Sequence, residues 1–167
     1  MRSFFSQVFA VACALLVLVG WMALAPNAYA QDNTVDYTLT DLSFRDFAGK
    51  QLSGTSFAAA EMREANFSKA DLSKTILTKA SFLRANLAGA NLSGTFADRV
   101  IFDGADLSNA IFTDALLTSS SFGEAKITGA DFSGAIIDRF QTAQMCKFAD
   151  GVNETTGVAT RDSLGCR

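Results

Sequence analysis

The chain repeats itself every five residues over most of its length. Stepping in fives from Leu42 gives Leu42, Phe47, Leu52, Phe57, Met62, Phe67, Leu72, Leu77, Phe82, Leu87, Leu92, Ala97, Phe102, Leu107, Phe112, Leu117, Phe122, Ile127, Phe132 and Ile137. Of these 20 positions, reached without an insertion or deletion, 19 are large and apolar. Two residues before each of these axial positions stands Ala, Ser or Thr in 17 of the 20 cases, with Arg45, Lys50 and Val100 as the exceptions. A buried helical stripe recurs at three and four residues and a half-buried strand at two, so a sustained period of five fits neither. A period of this kind marks a stacked repeat in which each unit buries its apolar side chain only against its neighbours.

The repeating phrases ANFSK, ADLSK, ANLSG, ADLSN and ADFSG resemble the pentapeptide-repeat family. That resemblance implies an all-β solenoid, a right-handed quadrilateral β-helix in which one pentapeptide forms a side and four form a coil. It covers residues 40–139, or five coils, and at about 4.8 Å per coil the stack is roughly 24 Å long. In such a square interior the axial residue fills the axis, while the residue two before it points in and has room only for a small side chain. Backbone amides pair with the coils above and below, leaving only the two ends open.

Stacking every fourth pentapeptide exposes one flaw, in the column Phe57, Leu77, Ala97, Leu117, Ile137. Ala97 is too small for the axis, and its neighbour Phe96 is large where an outward residue belongs. Either the coil bulges locally and Phe96 turns inward, or Phe96 stays outside and the core is thin there. Because an unfilled core site of that size costs several kcal/mol, the bulge is the preferred expectation.

Residues 1–30 differ from the rest and read as a cleavable leader. Arg2 supplies a positive start, Val8 to Ala25 is an uncharged apolar run, and Ala28-Tyr29-Ala30 fits a small-x-small cleavage site after Ala30. The competing reading is an uncleaved anchor, since an 18-residue apolar run approaches the length of a membrane span. The remaining segments are a lead-in over 31–39, the repeats over 40–139, and a C-terminal cap over 140–167 that is partly helical, with Phe140, Met145 and Phe148 at helix-like spacing to close the open end.

Removing the leader leaves 13 Lys+Arg against 17 Asp+Glu, a net charge of −4. That excludes a dedicated nucleic-acid binder, which carries a basic face. The mature chain has two cysteines, Cys146 and Cys166. In an exported protein an even count reads first as a disulfide, here bounding the tail, with a redox-switchable pair as the alternative. A cysteine-bounded stretch after the repeats is similar to that of lumenal pentapeptide-repeat proteins from cyanobacteria and chloroplasts.

The residue before each axial position faces solvent. Three of the four outward columns are largely polar: Asp41, Glu61, Ser81, Ile101, Ser121; then Asp46, Asn66, Asn86, Asp106, Lys126; then Gln51, Asp71, Asn91, Ile111, Asp131. The fourth carries Ser56, Ile76, Phe96, Leu116 and Ile136, a contiguous apolar ladder that requires a cover or a partner. Two readings stand: the chain's own tail covers it, or it docks another protein or a second copy. Charge also drifts along the stack, with Arg63, Lys69, Lys74 and Lys79 in one coil and Asp103, Asp106 and Asp114 two coils later.

Catalysis is not expected, because the chain has no His, nucleophile motif, phosphate loop or metal-ligand cluster. Neither a cofactor nor a metal is expected. Mimicry of duplex DNA toward a gyrase-like target is a second reading that the family resemblance brings, but it requires a cytosolic, strongly acidic rod. The reading carried forward is an exported scaffold or protein-interaction module of a thylakoid lumen or periplasm, binding neither nucleic acid nor, after cleavage, membrane.

Overall fold

The computed structural model describes residues 35–167; the leader and its cleavage site after Ala30 lie outside them. Parallel bridges join each outward residue to the one 20 positions on, from Asp36↔Ser56 to Leu116↔Ile136. Four pentapeptides therefore close one square coil. The ladder starts at Asp36, inside the segment 31–39 expected to be a lead-in, and Tyr37 already sits on the axis, stacked on Phe57 at 5.1 Å between ring centroids.

Each corner is a four-residue turn in which the amide three residues after the axial residue donates to its carbonyl, as Ala90 does to Leu87 at 3.0 Å. The third residue of every turn from Leu39 to Gly134 has positive φ, the signature of a type II turn. Two further amides per side, such as those of Leu87 and Gly89, donate to the coil above, to Asp106 and Ser108. A fourth, such as that of Asn86, donates to the coil below, to Ala65. The backbone is thereby satisfied around a dry axis.

Phenylalanines fill that axis in stacked columns: Phe82 on Phe102 on Phe122, at 5.5 and 5.2 Å, and Phe112 on Phe132 at 5.1 Å. Edge-to-face contacts cross between columns, as from Phe102 to Phe112 at 5.7 Å. Such offset and perpendicular pairs add to the burial of the rings themselves. The small residues beside them are buried too, from Ala60 to Ala130. Arg45 and Lys50, the long exceptions, lie in the first coil and are exposed.

The coil does not bulge at Ala97. Phe96 keeps its place in the ladder, bridging Ile76 and Leu116, and stays exposed, while Ala97 is fully buried on the axis. The inward Phe96 expected from the sequence is therefore corrected. The missing volume is offset within the same turn by Val100, the third exception to the small-residue rule, which is itself buried. Only at this corner, among the turns from Tyr37 to Phe132, is the turn's own backbone bond missing. The Ser120 hydroxyl takes its place, accepting from the Val100 amide at 2.9 Å and donating to the Ala97 carbonyl.

The tail closes the C-terminal end. Helix α1 (Arg139–Met145) and a short helix α2 (Thr160–Ser163) flank a hairpin-like segment joined by the antiparallel bridge Val152↔Ala159. Met145 is fully buried, whereas Phe140 and Phe148, expected to share the cap, remain exposed. What holds the tail is the end coil's hydrogen bonding. Asp150 O accepts from the Gly129 amide at 2.9 Å, and Ser163 Oγ accepts from the Phe132 amide at 3.0 Å. The tail thus supplies acceptors that a sixth coil would have supplied, and blunts an open β end.

Candidate interaction face

The polar outward residues do more than solvate the surface. Asp41, Asp46, Asn66, Asp71, Asn86, Asn91, Asp106 and Asp131 each accept, through Oδ1, the amide two residues on, at 2.9 to 3.1 Å. This local bond satisfies an amide at the entrance of each turn. It is the physical reason for Asp or Asn at that position. They also bridge coils, as when Asn66 Nδ2 donates to Asp46 at 2.9 Å.

The fourth face opens with Asp36, whose Oδ1 accepts the Thr38 amide at 2.9 Å, but from Ile76 onward the side chains at this position have no acceptor. Ile76, Phe96, Leu116 and Ile136 form consecutive rungs, and three of them are well exposed, at 46, 58 and 59 % for Ile76, Phe96 and Ile136. Leu116 is half-buried between them. Among the described residues, the amides of Thr78, Asp98 and Thr118 lack the side-chain bond their counterparts make on the polar faces. Each such bond is worth about 0.5–1.5 kcal/mol, so this face gives up local stability to present apolar side chains.

The tail does not cover that face. Helix α1 and Phe148 stand beside Asp103 and Ser121 to Glu124, at the first face, and the rest of the tail bonds the corner between the second and third faces. Asn153, fully buried, donates to the carbonyls of Gly129 (2.8 Å) and Asn109 (3.1 Å), and its Oδ1 accepts from the Thr155 and Thr156 amides. Thr160 Oγ1 reaches the Ile127 carbonyl at 3.3 Å. The reading in which the tail shields the apolar strip is overturned: what attracts the tail is the row of unpaired backbone groups at the end coil. Asn153, which the sequence shows only as part of an N-x-T triplet, is the residue that anchors it. The structure brings Cys146 and Cys166 to disulfide-bonding distance, with Cα atoms 5.6 Å apart, closing a separation of 20 residues.

Asp131, almost fully buried, lies under this tail. Burial alone raises its pKa. The Ser133 hydroxyl and amide, with Thr156 from the tail, outweigh burial and hold the carboxyl below its ordinary value of 3.8. At the other end of the chain of charges, Arg84 pairs with Glu64 at 2.8 Å across one coil, and the hydrogen bond from Arg84 lowers the Glu64 pKa. Among the described residues no three His, Cys, Asp or Glu side chains group to hold a metal, and no helix is long and apolar enough to cross a membrane.

The repeat defines a right-handed quadrilateral β-helix, and a family model for pentapeptide repeats matches residues 38–73, 65–104 and 98–134, more than half of the chain. The chain belongs to the pentapeptide repeat family. Among solved structures it is similar to a pentapeptide repeat protein from the thylakoid lumen of Arabidopsis thaliana, at 38% identity over 86% of this chain and 97% of that chain, with a TM-score of 0.52. A pentapeptide repeat protein from the cyanobacterium Cyanothece is 30% identical over 69% of this chain and 68% of that chain, with a TM-score of 0.38. The fluoroquinolone resistance protein QnrB1, trypsin-treated, is 18% identical over 70% and 72%, with a TM-score of 0.43. No curated protein matches. The fold is that of a scaffold, and nothing in it points to catalysis.

Proposed function

We propose that this protein is a non-enzymatic exported scaffold of a thylakoid lumen or periplasm, and that it meets a protein partner on the face of Ile76, Phe96, Leu116 and Ile136. The observation that carries this reading is the exposed apolar ladder on a surface whose second and third faces use the same position for turn-stabilising Asp and Asn. A contiguous apolar patch on a protein surface is a mark of docking. Export is supported by the leader-like residues 1–30 and by the likeness to a lumenal protein of Arabidopsis. We assign Cys146 and Cys166 as a disulfide that clasps the tail over the last coil. Such a bond closing a loop of 20 residues contributes about 3 kcal/mol in the chain-entropy view.

Two measurements test the reading. The intact mass of the protein recovered from an exporting host is that of a chain starting at Gln31 with one disulfide; a full-length reduced chain in the cytosol contradicts export. Affinity capture from lumenal and periplasmic fractions, with wild-type and Leu116→Asp bait, tests the face. A protein held by the wild type and released by the variant supports docking, and identical capture by both contradicts it.

A further inference from the structure

We propose that the bond between Cys146 and Cys166 is a site of thiol–disulfide exchange with a dithiol partner, and that its reduction releases helix α2 from the end of the coil stack. This rests on the assignment of the pair as a disulfide and adds the regulation of that bond. Two observations carry it: the bond lies within reach of solvent, and α2 has few other ties to the coils.

Cys146 and Cys166 are both half-buried, and Lys147, Gly165 and Arg167 beside them are exposed. A Cβ placed on Gly165 meets no atom within 4 Å, so the approach next to Cys166 is open. Exposed disulfides are the ones that exchange. A thiolate of the dithiol attacks one sulfur; a mixed disulfide forms as the Sγ–Sγ bond breaks, and the other cysteine leaves as a thiolate. The second thiol of the partner then attacks the mixed disulfide. Two electrons and the dithiol's two protons pass to the protein's pair, which ends as two thiols, and the partner ends as a disulfide.

Helix α2 has only four residues, too few to stay helical on its own. Its ties to the coils are the Ser163 hydroxyl, which accepts the Phe132 amide at 3.0 Å, and the Thr160 hydroxyl, which donates to the Ile127 carbonyl at 3.3 Å. Burial of Thr160 and Leu164 adds to these. Arg161 contributes a bond within the tail, to the Cys146 carbonyl at 3.0 Å. Among the described residues no ion pair joins the tail to the coils.

The middle of the tail is held differently. Asn153 is buried and bonded to the Asn109 and Gly129 carbonyls, and the Asp150 carbonyl accepts the Gly129 amide at 2.9 Å. None of these bonds involves the cysteines. Reduction therefore divides the tail: residues 160–166 open, and the turn at Asn153 stays. Because each coil touches only its neighbours, the end opens without disturbing the coils beneath it. The Phe132 amide and the Ile127 carbonyl then lie on a β edge that is closed in oxidising surroundings and open in reducing ones.

The test is amide exchange followed by NMR on protein secreted by an exporting host, oxidised as isolated and again after reduction with dithiothreitol. Alkylation and intact mass fix the thiol count of each sample. Reduction is expected to speed exchange of the Phe132 amide and of the amides of residues 160–166 by about tenfold or more. Gly129, held by Asp150, and the inner amides of Leu87 and Leu107 keep their rates, and reoxidation restores the slow exchange. Cys146→Ser combined with Cys166→Ser exchanges as the reduced protein does, with or without dithiothreitol. Ser163→Ala removes the acceptor but keeps the disulfide, and leaves Phe132 fast in both states. Equal Phe132 exchange before and after reduction overturns the proposal, since the bond is then a static staple. Exchange that spreads to Leu107 also overturns it, because the coils then open together with the cap. If both cysteines of the isolated protein alkylate without reductant, the disulfide assignment falls as well, while the docking face, which uses none of these residues, stands.

Discussion

Ala97 shows how far a single residue can depart from the repeat while the coil stays regular. The axis loses volume at Ala97 and regains it three residues later at Val100, both fully buried, and Ser120 carries the turn's hydrogen bonding across the gap. Restoring a large axial residue therefore does not repair the site. Ala97→Leu overpacks against Val100 and destabilises by about 1–3 kcal/mol, while Ala97→Leu combined with Val100→Ala recovers most of the loss; equilibrium urea unfolding of the three variants checks the coupling. Beside them the buried Thr95 hydroxyl has no partner among the described residues. Thr95→Val removes that cost and stabilises by about 1 kcal/mol in the same measurement. The sequence makes Ala97 visible as a flaw and Val100 as an exception, but their compensation depends on two rules sharing one volume, which positions read separately do not reveal. That is why the expected bulge is absent.

At the scale of the turn and the side, the fold trades local strain against ladder hydrogen bonds. All 20 corners from Leu39 to Gly134 have positive φ, and 13 of them carry a residue other than glycine, at a cost of about 1 kcal/mol each. The cost is tolerated because the corner amides from Leu39 to Asp114 each donate to a carbonyl of the adjacent coil. Asp or Asn at the outward position adds one more bond per turn, and its absence from the fourth face after Asp36 gives a direct test of what that face is for. Ile76→Asn restores the bond to the Thr78 amide and raises stability by about 0.5–1 kcal/mol while weakening association; a lowered unfolding midpoint for this variant contradicts a surface role for Ile76. The tail has its own signature in pH. The folded pKa of Asp131 lies below 3.8, so its contribution is fully present above that value and is lost as pH falls through the folded pKa. Acidification from pH 7 to below about 4 therefore lowers the thermal midpoint, and Asp131→Asn makes the midpoint lower at neutral pH and less sensitive to acid.

Across the described chain, the solenoid and its axial residues were legible because a five-residue period leaves few foldable alternatives. The path of the tail was not. Its composition offers Phe140 and Phe148 to a cap and the apolar strip to a cover, yet the tail follows the amides of Gly129 and Phe132 instead. Unpaired backbone at an open end leaves no mark in a side-chain pattern, so neither the anchoring role of Asn153 nor the freedom of the fourth face could be read in advance. That free face is the central claim, and crosslinking in the native compartment tests it most directly. A photoreactive phenylalanine analogue in place of Phe96, activated in intact cells, is predicted to give a discrete protein adduct that the same analogue at Asn86, on the polar second face, does not give. Equal labelling from both positions, or none from position 96, would contradict the account.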